Sequence, residues 1–173
     1  MRTHKKNILV GLFLLMVAGA FAAQGKWRAA TEKELAALLP ARAPVEKEQI
    51  ETDLRTASGV TNGKGKFFAA IVIITTGYAA EGKYSYFLTT QVPVKLGDFT
   101  LQPGEYVFGQ RRIDTTTIEV KFHEAASGKQ LGIVKAQRGE TRGAIRSILI
   151  APPKDGTGSF SLGRFVFPYT ISE

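Results

Sequence analysis

The chain has 173 residues, 23 Lys and Arg against 15 Asp and Glu, a formal charge of +8, and no cysteine. Without cysteine there can be no disulfide framework, thiolate metal site or cysteine nucleophile, and an exported form has no thiol for lipid attachment. The length is that of one ordinary domain and is enough to bury a real core.

Arg2, Lys5 and Lys6 precede an apolar run over residues 8–21 that closes on Ala20-Phe21-Ala22. A basic start, an apolar middle and small residues at the cut site form the pattern of an export signal. The run is shorter than the roughly 20 residues that cross a bilayer as a helix. Cleavage after Ala22 is therefore expected, with residues 1–22 a signal peptide and no transmembrane span left in the mature chain. Cleavage removes three basic residues, which lowers the charge to +5, and the mature protein is expected in the periplasm or outside the cell.

Residues 23–60 carry six charges of each sign and are expected to form a short helical N-terminal arm. Thr31-Glu32-Lys33-Glu34 has the form of a capping box, Leu35, Leu38 and Leu39 share one helical face, and Pro40 ends the run. Pro44 is placed to open a second helix, with Val45, Ile50 and Leu54 roughly on one face and Gly59 as its stop.

From Lys66 onward β-branched and aromatic residues dominate, and residues 61–173 are assigned to a β-domain. The continuous apolar run 67–74, bounded by glycines, predicts a strand buried on both faces. Alternation over 84–96 predicts a half-buried strand, with Pro93 at a bulge or an edge because it lacks an amide donor. A Pro103-Gly104 turn opens the next strand. Residues 115–124 and 131–136, joined across Ser127-Gly128-Lys129, read as a hairpin whose first strand turns Glu119, Lys121 and His123 outward and is expected at a sheet edge. Residues 147–151 form a short strand before Pro152-Pro153. Along 160–171 the apolar parity slips by one near Gly163, as a β-bulge would produce.

About seven strands without helical crossovers predict a mainly β fold, an antiparallel β-sandwich of immunoglobulin-like or transthyretin-like architecture. Chemistry is harder to find. After residue 22 the only histidine is His123, so a histidine metal site within one chain is excluded. The segment Ser159-Phe160-Ser161-Leu162-Gly163 lacks the first glycine of a nucleophile elbow. Glu105 and Glu119 are the carboxylates best placed to act as a glycosidase pair. No cofactor or metal is expected, and no glycine motif of nucleotide sites is present.

The excess positive charge lies between residues 111 and 153, with eight basic residues against four acidic. Arg111, Arg112, Lys135, Arg138, Arg142 and Arg146 are the candidate ligand-binding residues, together with Trp27 as an aromatic contact. Clustered positive charge on an exported protein suits anionic envelope lipid or polysaccharide better than nucleic acid. The expected function is a non-catalytic binding or structural module of the cell envelope that contacts such a ligand or an envelope protein. A small carboxylate-dependent carbohydrate hydrolase and a small outer-membrane barrel are the alternatives.

Overall fold

The computed structural model describes residues 27–140 and 143–172; the export signal expected over 1–22 lies outside them. The elements in chain order are β1 (Arg28–Ala29), α1 (Glu32–Leu38), β2 (Arg42–Val45), β3 (Glu48–Thr61), β4 (Phe67–Ile73), β5 (Tyr86–Thr90) and β6 (Val94–Leu96). They continue with β7 (Phe99–Leu101), β8 (Gly104–Arg112), β9 (Thr117–Glu124), β10 (Gln130–Arg138), β11 (Ile148–Lys154), β12 (Thr157–Leu162) and β13 (Phe165–Ile171).

The fold is mainly β and antiparallel, as expected, but it is not a sandwich of seven strands. The main path of one 13-stranded sheet runs β1-β3-β4-β5-β8-β9-β10-β13-β12-β11, with β2, β6 and β7 paired off it, and the sheet curls until β11 meets β3. The Ile150 amide donates to Ser58 Oγ at 2.8 Å and ties β11 to β3. The result is a nearly closed barrel. β10 and β13 share only two register positions before they splay, and the β6–β7 hairpin fills the gap by pairing β6 with the far half of β13.

Inward-facing positions supply the core. Phe68, Tyr86, Phe108, Phe122, Phe160, Phe167 and Tyr169 fill the barrel with rings, and their neighbours are Val60, Leu88, Val120 and Ile150. A second apolar layer lies outside, where Leu35, Leu39, Ala43, Val45 and Ile50 cover the outer faces of β4, β5 and β8. That cover explains why Phe68, Ala69, Ala70 and Ile71 of β4 are all fully buried, as the unbroken apolar run predicted.

Several local expectations change. The capping box at Thr31 and Glu34 forms, with Glu34 N donating to Thr31 Oγ1 and Thr31 N to Glu34 Oε2. The second helix does not form, because residues 42–61 make the β2–β3 hairpin around Glu46 (φ 54°); Ala43 and Val45 alternate with period two, and Ile50 lies opposite Ala43 across the hairpin on the same buried face. The stretch 84–96 breaks at Pro93 into β5 and β6. The parity slip at Gly163 is a tight hairpin turn with φ 58°, rather than a bulge, so the inner faces of β12 and β13 both stay apolar. β9 is central, flanked by β8 and β10, and is not an edge.

Candidate functional site

Strand direction decides where the basic residues go. β8 and β10 end, and β9, β11 and β13 begin, at the same mouth of the barrel. Arg112 closes β8, Arg138 closes β10, and Arg164 sits in the β12–β13 turn. They surround one ring: Arg112 lies over Phe165 at 5.5 Å, and Arg138 is the register partner of Phe165. Arg138 and Arg164 line a common surface recess of about 250 Å³ with Ile145. Among the described residues none of these three arginines has a carboxylate partner. Unneutralised charge on a low-dielectric wall gives a field that reaches into solvent. Two exposed apolar side chains, Ile113 and Ile145, stand beside them at 47% and 48% exposure.

The other predicted residues separate. Arg111 and Lys135 both lie opposite Glu119 on the outer face, and Arg111 contacts its carboxylate at 3.4 Å. Lys121 also reaches Glu119, at 3.3 Å. Partial burial raises the Glu119 pKa, but the hydrogen bonds from Lys121 and Arg111 outweigh that effect and hold the carboxyl below its ordinary value. Arg146 stands at the start of β11, beside a separate groove. Trp27 is half-buried against the barrel core, and Arg142 lies outside the described residues. Arg164 was not among the candidates, although its position in a tight turn after an alternating strand is the signal that puts it at the rim.

Glu105 and Glu119 do not form a carboxylate pair. Glu119 is opposite Arg111, six positions along β8 from Glu105, which separates the two by about 20 Å. Among the described residues no group of His, Asp and Glu is arranged to hold a metal ion.

His123 is not solvent-exposed as its alternation suggested. It faces away from the barrel interior but is covered, with 7% exposure, and packs edge-on against Tyr84 at 5.1 Å. The Tyr84 hydroxyl donates to Glu46 Oε1 at 2.8 Å, and Lys83 Nζ reaches the same oxygen at 2.7 Å. His123 Nδ1 is buried and, among the described residues, makes no hydrogen bond. Burial first, and the Lys83 charge second, lower the His123 pKa below 6.5. The unfolded chain therefore binds a proton that the folded chain resists. Stability from the neutral ring is fully present above pH 6.5 and falls as pH drops from there toward the depressed folded value. Thermal melts of the parent should show this loss between pH 7 and pH 5, and His123→Phe should flatten that part of the profile. An unchanged slope in the variant would remove His123 as its cause.

Compared with known proteins, the chain matches no family model, no curated protein and no solved structure.

Proposed function

We propose that the protein is an exported, non-catalytic barrel that docks on anionic lipid headgroups of the cell envelope through the rim of Arg112, Arg138 and Arg164. One observation carries this reading: three arginines without carboxylate partners share a mouth of the barrel with two exposed isoleucines. Guanidinium groups recognise phosphate oxygens, and apolar tips beside them favour a membrane surface over a soluble polyanion. The side-chain arrangement also disfavours a barrel that spans the bilayer. Its interior is packed with rings while Glu119, Lys121 and Lys135 lie on the outer face, the reverse of an outer-membrane barrel.

Vesicle flotation tests the proposal. The parent should float with phosphatidylglycerol vesicles and not with phosphatidylcholine. At roughly 1 kcal/mol per surface arginine, Arg112→Ser, Arg138→Ser and Arg164→Ser together should weaken binding on the order of a hundredfold. Raising the salt should have a similar effect. Equal flotation of the triple variant, or capture by soluble anionic polysaccharide but not by vesicles, would overturn the lipid reading.

A further inference from the structure

The barrel closes where β11 touches β3 at Ile150 and Ser58, but the two strands share no backbone ladder there. The path from β3 through β4, β5, β8, β9, β10, β13 and β12 to β11 consists of antiparallel steps only. Their number is even, so β11 returns beside β3 running in the same direction. The strand that would close such a barrel in antiparallel fashion runs opposite to both.

β1 is the beginning of that strand. It pairs antiparallel with β3 at Thr61 and Val60, and the Ala30 amide donates to the Gly59 carbonyl at 2.9 Å as a last rung. At Thr31 the chain then turns away into α1. Beyond this point β3 leaves its register with β4: five steps from Asp53 to Ser58 face only two from Val72 to Ala70. The bulge opens a groove of about 720 Å³ along the line β1 would have followed. Ala30, Leu35, Leu54, Ala57, Arg146 and Leu149 line it.

The β11 wall is an open strand edge. Since Ile150 turns its amide toward Ser58, alternation turns the Ile148 amide and carbonyl the same way, while Leu149 faces Ser161 of β12. Leu54 and Leu149, at 45% and 39% exposure, add apolar surface at the rim of the groove. A peptide continuing the direction of β1 would run antiparallel to β11 and finish beside Arg146. Arg146 is exposed and has no ion pair among the described residues.

We infer that this groove takes the extended C-terminal segment of a partner protein, adding it as a strand on β11 with its terminal carboxylate on Arg146. Main-chain hydrogen bonds to the open edge give affinity, and alternate apolar side chains against Leu54, Leu149 and α1 give selectivity. The carboxylate fixes the register through a charge-assisted bond. The open stretch of β11 accommodates about four residues, or ~13 Å of strand. This inference does not depend on lipid contact at the rim.

The test is selection from a library of random pentapeptides with free C-termini, followed by fluorescence anisotropy on the intact protein. Selected peptides should be apolar at alternate positions. C-terminal amidation, and separately Arg146→Gln, should each weaken binding roughly tenfold. Ala36→Arg changes an exposed groove residue on α1 without touching the sheet, so it should block binding and leave the melting temperature near the parent value. The Arg112, Arg138 and Arg164 triple variant should bind the selected peptides like the parent, which separates this site from the rim. Failure to select any peptide, or peptides indifferent to amidation, Arg146→Gln and Ala36→Arg, would overturn the inference. Concentration-dependent self-association abolished by Ala36→Arg would overturn it in favour of a second copy as occupant.

Discussion

Phe108→Ala is expected to cost about 3–5 kcal/mol, the range for removing a fully buried ring whose cavity cannot collapse. Phe108 is fully buried and is the hub of the interior rings. It stacks on Tyr86 at 4.7 Å and Phe122 at 4.9 Å, and meets Phe160 edge-on at 5.7 Å. These partners come from β5, β9 and β12, so one truncation removes contacts across the whole barrel. They are held by strand pairing on both sides, so the void stays open. Against a typical total of about 5–15 kcal/mol the loss leaves a marginal protein. Urea unfolding should show a large drop in midpoint with an unchanged m-value, and Phe108→Leu should lose less. A midpoint close to the parent would mean that the ring stack contributes little.

The second large effect is expected one residue on, at Gly109, where the reason is space. A Cβ built there would lie 2.3 Å from the Lys83 carbonyl oxygen. That oxygen belongs to the backbone of a loop held at several points: Lys83 N donates to Ala80 O at 3.0 Å, Ser85 N to Phe108 O at 3.0 Å, and Lys83 Nζ binds Glu46. The loop cannot yield by a side-chain rotation, so Gly109→Ala should cost about 3 kcal/mol, at the upper end of ordinary overpacking. It should also leave a local sign. Displacing Lys83 and Tyr84 uncovers His123, so the depressed titration of that ring should move back up toward 6.5, which NMR of its ring protons can follow. Gly104→Ala is the comparison, since its nearest neighbour is the end of the Tyr106 side chain at 3.3 Å. Equal stability of the two variants would remove the backbone clash as the cause.

Reading the sequence succeeded where a pattern had one physical meaning. The apolar run of β4, the capping box and the β9–β10 hairpin all follow from period, cap chemistry and turn residues, and all are present. It failed where a pattern had two. Val45, Ile50 and Leu54 fit a loose helical face, but Ala43, Val45 and Ile50 equally fit a hairpin, and only their packing onto the outer faces of β4, β5 and β8 decides between them. Inside-outside alternation is the same in a sandwich and a barrel, so the closure of the sheet through Ser58 and Ile150 was not legible. Of the basic candidates, Arg112 and Arg138 share the rim, while Arg111 and Lys135 flank Glu119. Strand ends sort them, and the sequence marks strand ends least sharply.

The Ser58–Ile150 tie also bears on how the protein folds. It spans 92 positions, and the β-meanders that flank it can form from much nearer neighbours. Bringing such distant segments together carries a high loop-closure entropy, and topologies dominated by such contacts fold slowly. Synthesis proceeds from the N-terminus, so β3 exists long before β11, and its stretch between the β2 and β1 pairings has no strand beside it along that edge until residue 150 has been made. During that interval the nascent sheet carries an open flank, and association with another chain competes with closure until β11 arrives.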